Sequence, residues 1–199
     1  MPFSLTGDRY RGAADYQTYV AGARKNVELW NGLYRTLPVS QRFIDRARAV
    51  PGRWHVLVLS EDWCGDAVNT VPLIARLVEQ LPSIDLRILA RDQNLDIMAE
   101  HLTNGTKSIP VVMILDERFV EHGWWGPRPS ELQAWVLSEG MTLPKEERYR
   151  ATRQWYARDR GETTLEDIVS LLERAAGKES AREAGHTSPP RGVGGSLGH

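Results

Sequence analysis

The sequence predicts an α/β protein, a central mixed sheet flanked by helices, with a helical extension at each end. Three observations predict it. Val56-Leu57-Val58-Leu59 and Val111 to Leu115 are short continuous apolar runs, the pattern of strands buried on both faces. Between Cys64 and Leu81, the residues Val71, Ile74, Ala75, Val78 and Leu81 form a helical stripe; Ile84, Leu86 and Ile88 then alternate with Asp85 and Arg87 as a strand does. Strand, helix and strand within about forty residues make a βαβ unit, with parallel strands and a right-handed crossover.

The remaining elements follow in order. Tyr16, Val20, Ala23, Val27, Trp30, Tyr34 and Leu37 recur at alternating spacings of four and three, one face of a helix that Asp15 can cap and Pro38 ends. Gly22 and Gly32 interrupt this stripe, which favours a helix packed on its own domain over a coiled coil. Ser40 can cap a short helix that turns Phe43, Ile44 and Ala47 inward, before a Pro51-Gly52 turn. Leu95, Met98, Ala99 and Leu102 suggest another short helix, ended by Thr103-Asn104-Gly105. The turn Asp116-Glu117-Arg118 is short enough for a hairpin, with Phe119 to Trp125 as the antiparallel partner of the strand before it. Past the break at Gly126 to Pro129, Leu132, Trp135 and Val136 begin a helix. Residues 145–158 are rich in basic side chains and read as a solvated helix face rather than a phosphate-binding stripe. Thr164 and Asp167 fit a capping box before Ile168, Leu171 and Leu172. Six of the 17 glycines fall after residue 176, where large apolar side chains almost vanish. The expected organisation is an N-terminal helical extension over 1–52, an α/β domain over 53–142, C-terminal helices over 143–176 and a disordered tail over 177–199.

Composition narrows the function. The chain has 199 residues, 25 basic against 26 acidic, net −1. Nucleic-acid and polybasic membrane binders need a strong positive excess, so neither partner is expected. No apolar run approaches a membrane span. The opening residues lack the basic start and apolar stretch of a secretory leader. One cysteine, Cys64, excludes an intramolecular disulfide and an all-cysteine zinc site, and a lone thiol suits a reducing compartment, so a cytoplasmic protein is expected. The five histidines show no ligand spacing; His55 and His101 are assigned packing or surface roles, and no metal is assigned.

Cys64 sits in Ser60-Glu61-Asp62-Trp63-Cys64-Gly65-Asp66-Ala67, between a buried strand and a helix. A cysteine at a helix start meets unpaired backbone N–H groups and the positive end of the helix dipole, and both favour thiolate. Glu61, Asp62 and Asp66 oppose that shift. A cysteine elsewhere would read as a small apolar core residue; the strand-to-helix loop favours a reactive thiol. Asp66 has a simpler role open to it, a carboxylate stabilising the first turn, which is preferred over proton transfer. Pro72 lies inside the predicted helix and cannot donate to Val68. Ile109-Pro110 opens a strand, where the X-Pro bond can be cis.

Together these residues resemble the thioredoxin superfamily. Trp63-Cys64-Gly65 matches the start of its Trp-Cys-Gly-X-Cys motif, Pro72 its helix-kinking proline, Ile109-Pro110 its Ile–cis-Pro pair and Gly126 the glycine after its last hairpin. The likeness covers about residues 53–140 and implies a thioredoxin-like fold. Glu-Asp-Trp-Cys-Gly-Asp-Ala and the Trp-Gly-Pro-Arg-Pro at 125–129 look like a bacterial thioredoxin-like subgroup. The chain departs from the family at Ala67, where dithiol members carry the resolving cysteine.

The resemblance implies a monothiol site. Cys64 would be the nucleophile, supported by Trp63, Gly65, Asp66, Ile109 and Pro110. The backbone of Ile109 would pair with an extended substrate. Trp124, Trp125 and Gly126 are candidates for a peptide groove, one Trp facing the core and the other a surface. A mixed disulfide on Cys64 would need an external thiol to resolve it; glutathione enters only by analogy with monothiol glutaredoxins, whose Cys-Gly-Phe-Ser motif is missing here. The expected partner is a protein disulfide or a small thiol, with no resident cofactor. Two other readings stand beside this one: a non-enzymatic peptide-binding module, and a peroxide-reacting or redox-sensing thiol. Neither substrate, reductant nor oligomeric state is legible in the sequence.

Overall fold

A computed structural model describes the backbone of residues 7–186 and the side chains of residues 7–177. Four strands form one mixed sheet in the order β2-β1-β3-β4: β1 Trp54–Ser60, β2 Ile84–Ala90, β3 Val111–Leu115 and β4 Glu121–Trp125. β1 and β2 are parallel, as the βαβ pattern requires, and β3 runs antiparallel to both β1 and β4. β1 and β3, the two continuous apolar runs, are the central strands. The hairpin turn lies at the expected place. The Asp116 carboxylate accepts from the N–H groups of Arg118 (2.8 Å) and Val120 (2.9 Å), and this turn delays β4 to Glu121 rather than Phe119.

The helices are α1 Gly7–Arg11, α2 Tyr16–Gly22, α3 Val27–Thr36, α4 Gln41–Arg48, α5 Gly65–Val78, α6 Leu95–Glu100, α7 Ser130–Ser138, α8 Lys145–Asp159 and α9 Glu162–His186. α5 is buried nearly all round, which its mostly apolar sequence permits. α3 packs on α5, and α9 packs on β3, β4, α4 and α5. One apolar core runs from Tyr10 to Ala176 and includes Trp30 and Phe43 from the N-terminal helices. A smaller cluster of Leu132, Val136 and Tyr156, joined by Trp135 and Trp155, holds α7 to α8. Ala14 exchanges backbone hydrogen bonds with Ile88, which covers the outer edge of β2.

Three expectations need correction. The helix expected over 16–37 is two helices. The Asp62 carboxylate captures the N–H groups of Arg24 (2.6 Å) and Lys25 (3.0 Å), and Asn26 turns left-handed at φ 54°, a conformation asparagine tolerates. Asp15 does cap α2, accepting from Thr18 at 2.7 Å. Thr164 and Asp167 form no capping box. Asp159 caps α9, accepting from Gly161 and Thr163, while Thr164 is buried. Asp167 instead reaches across to α7, accepting from the Ser130 N–H (2.8 Å), the Ser130 hydroxyl (3.0 Å) and Trp125 Nε1 (3.0 Å). The last helix runs to His186, ten residues into the stretch expected to be a tail; the rest of that tail, 187–199, lies outside the described residues. Residues 1–6 lie outside them too.

Asp167 thus supplies a helix cap that is long-range in sequence. Asp167→Ala strands those donors and should cost about 1–3 kcal/mol, read from the urea midpoint. A loss below about 0.5 kcal/mol would show that solvent replaces the cap.

Candidate active site

Cys64 is the residue immediately before α5. Its sulfur accepts from the Ala67 N–H at 3.4 Å, and its S–H donates to the Ile109 carbonyl at 3.3 Å. The Ile109-Pro110 peptide bond is cis, as expected; Gly126-Pro127 is cis as well, which the sequence did not suggest. Cys64, Ile109 and Pro110 therefore meet at one point. Gly126 abuts them, because a Cβ built on it would lie 2.0 Å from the Pro110 carbonyl oxygen.

The side chain of Cys64 is only 7% exposed. Burial pushes its thiol up to about 11, and the Asp66 charge adds to the shift, whereas the Ala67 N–H and the Arg128 guanidinium pull the other way. The helix start favours thiolate, as the sequence suggests, but desolvation outweighs it. Two of the three acidic neighbours are engaged elsewhere. Asp62 binds the backbone of Arg24 and Lys25, and Glu61 accepts from the Asp92 N–H at 2.9 Å. Asp66 remains. Its carboxylate accepts from the Tyr156 hydroxyl (3.0 Å) and pairs with Arg128 at 2.7 Å. Burial raises the Asp66 carboxyl above the ordinary range despite these partners. Asp66 is thus more than a first-turn carboxylate: it ties α8 and the 126–129 loop to the start of α5.

Cys64 borders a cavity of about 510 Å³. Trp63, Gly65 and Asp66 line it beside Cys64, Ile109 and its neighbours Lys107 and Ser108 form another part, and α3 contributes Leu29. One whole face of α8 completes it, with Arg148, Thr152 and Tyr156 four residues apart and Tyr149 and Arg153 beside them. α8 is solvated, as expected, with Tyr149 and Arg153 exposed, but this face of it also fronts the cavity. Of the predicted groove residues, Trp124, Trp125 and Gly126 do not line the cavity. Trp125 is held by Asp167, and Trp124 packs edge-to-face on His101 with ring centres 5.6 Å apart. Both tryptophans are half-buried against the core, so neither is the exposed groove residue expected. Sequence reasoning missed Arg128 and Tyr156, whose roles depend on contacts spanning 62 and 90 residues from Asp66. Arg128 stands in the quoted Trp-Gly-Pro-Arg-Pro segment; no local signal marks Tyr156. Among the described residues, no group of three or more His, Cys, Asp or Glu could hold a metal ion. No described helix is long and apolar enough to cross a membrane.

A mixed sheet with a parallel βαβ half, an antiparallel hairpin half, a cysteine at the α5 start and a cis-proline beside it define a thioredoxin-fold protein. The chain belongs to the thioredoxin family, whose model matches residues 13–150, well over half of its length. Among solved structures, a protein of unknown function from Pseudomonas aeruginosa is similar at 20% identity and a TM-score of 0.70, covering 86% of this chain and 99% of that one. An HIV epitope-scaffold is similar at 21% identity and a TM-score of 0.66, covering 85% and 98%. These two likenesses concern the fold alone. No curated protein matches the chain significantly.

Proposed function

We propose that the protein performs thiol–disulfide exchange on low-molecular-weight substrates through Cys64. The supporting observation is the cavity: Cys64 borders a half-enclosed space of small-molecule size, one side of which is formed by α8. The Cys64 thiolate attacks one sulfur of a disulfide, forming a mixed disulfide and releasing the other half as a thiolate. An external thiolate then attacks the sulfur bound to Cys64, forming a new disulfide and returning the Cys64 thiolate. The Ala67 N–H stabilises that thiolate, and the proton shared with the Ile109 carbonyl must leave before attack. Ala67 offers no internal thiol, so the cycle depends on the external one. A cytoplasmic setting and a place in a bacterial monothiol subgroup belong to the same reading and rest on the lone cysteine and the Trp-Cys-Gly-Asp-Ala motif.

One observation favours a second reading, in which the cavity binds a ligand and Cys64 senses oxidation without turnover. A thiol pushed up to about 11 is ionised in only ~1 molecule in 10,000 at pH 7.

Mass spectrometry of the full chain after incubation with glutathione disulfide tests both. A single mixed-disulfide adduct is expected on wild type and none on Cys64→Ser. Raised pKa means less thiolate at neutrality, so the rate should climb about tenfold per pH unit from 7 to 10. An ordinary thiol levels off near pH 9. No adduct even at pH 10 would overturn exchange and leave the sensing and binding reading; a rate level above pH 8.5 would show that burial does not control this thiol.

A further inference from the structure

The cavity holds an excess of positive charge that thiol–disulfide exchange does not use. Five cationic side chains line it, Arg91, Lys107, Arg128, Arg148 and Arg153, against one carboxylate, Asp66. Two of the five are neutralised. Arg128 pairs with Asp66 at 2.7 Å, and Arg91 pairs with Asp92 at 2.8 Å. Lys107, Arg148 and Arg153 form no ion pair with a carboxylate among the described residues, although acids outnumber bases over the whole chain, 26 to 25. Three unpaired cations from two separate segments around one concave wall are therefore a local feature and not the spill-over of a basic protein. A half-enclosed site focuses such charge and strengthens its pull on an anion. The same wall carries exposed apolar surface: Trp63, half exposed with the Arg91 guanidinium 5.2 Å from its ring, and Tyr149 and Leu29.

We propose that this cavity is a binding site for small molecules carrying two or more oxyanionic groups, carboxylate or phosphate, on a partly apolar body. Lys107, Arg148 and Arg153 hold the anionic groups. Guanidinium groups pair with carboxylate and phosphate oxygens alike in a two-pronged fashion, and an ammonium adds a point charge. Trp63, Tyr149 and Leu29 cover the body of the ligand. The proposal deepens the reading of Cys64 as a small-molecule thiol by naming the charge of its substrate, but binding itself needs no sulfur chemistry.

The test is calorimetric titration of the full chain with citrate and, separately, with inorganic pyrophosphate, at low and at physiological salt. Saturable one-site binding of at least one is expected, weakened by salt. Citrate alone would mark a carboxylate site and pyrophosphate alone a phosphate site. The double variant Arg148→Glu/Arg153→Glu should weaken binding at least tenfold, and Lys107→Gln, with its smaller change, severalfold. Arg150→Glu is the control: it changes the charge of the same helix but does not line the cavity. Binding of neither anion by wild type would overturn the proposal. So would equal weakening by Arg150→Glu, which would reduce the effect to net charge. Anion binding with no mixed disulfide would leave this site standing and remove exchange; a mixed disulfide with no anion binding would do the reverse.

Discussion

Gly126→Ala should destabilise the protein by roughly 3–5 kcal/mol, a large share of the margin of an ordinary domain. Gly126 has φ 140°, a region in which side chains are strained. Its added Cβ would stand 2.0 Å from the Pro110 oxygen, 3.1 Å from the Pro110 carbonyl carbon and 3.3 Å from the Val111 Cα. All three are backbone atoms, so no rotamer change relieves the clash and the 109–111 segment must move. That segment supplies the carbonyl to which the Cys64 thiol donates. The folded fraction should therefore also show faster alkylation of Cys64. Denaturant unfolding gives the first quantity and a timed alkylation the second. A midpoint displaced by less than about 1 kcal/mol, with unchanged alkylation, would show that the loop yields to the methyl group at little cost.

Ala67→Cys should convert the monothiol site into a closable dithiol. Ala67 lies three residues after Cys64 in the first turn, fully buried, with its N–H 3.4 Å from the Cys64 sulfur. Residues so placed fall within the Cα separation of about 4.4–6.8 Å that a disulfide requires. Adding a sulfur to a filled site costs about 1–3 kcal/mol in crowding, within what a stable domain tolerates. Under mild oxidation the variant should lose both alkylatable thiols and two mass units without forming disulfide links between chains. Its dithiothreitol-driven turnover of a small disulfide should rise on the order of tenfold over wild type, since the internal thiol resolves the mixed disulfide. Insulin reduction should stay poor, because α8 walls the site against an extended chain. Two free thiols after oxidation would show that positions 64 and 67 do not approach as the helix start demands. Efficient insulin reduction would show that α8 is no barrier.

The sheet was legible because its strands carry their own signals. The β-branched runs at 56–59 and 111–115 are apolar without interruption, and a strand buried on both faces tolerates little else. Cys64, Pro72 and Pro110 were legible because their constraints are local: a helix start, a missing N–H, a ring before a strand. What escaped was long-range. Nothing near Arg24 announces that Asp62, 38 residues away, will take its N–H and end α2. The Asp167 carboxylate suits a capping box in sequence, yet Ser130 and Trp125 reach it first in space. α8 is the clearest case. A helix that fronts a solvent-filled cavity needs no continuous apolar stripe on that side, so Arg148 and Arg153 look like any solvated arginines until the cavity is seen.

The hold that the N-terminal helices keep on the loop before Cys64 bears on how such a protein can be inherited. Trp30, fully buried, donates its indole N–H to the Asp62 carbonyl at 3.1 Å, and Asn26 donates to the same oxygen at 3.0 Å. With the Asp62 carboxylate on Arg24 and Lys25, both ends of one residue two places before the cysteine are clasped by a segment some thirty residues upstream. Transplanting residues 53–142 alone onto another framework would carry the motif and leave its posture behind. Lineages that shuffle the α/β core must bring α2 and α3 along with it, or rebuild the clasp from new residues. A substitution at Trp30 or Asn26 can thus be neutral for the sheet and still alter the cysteine.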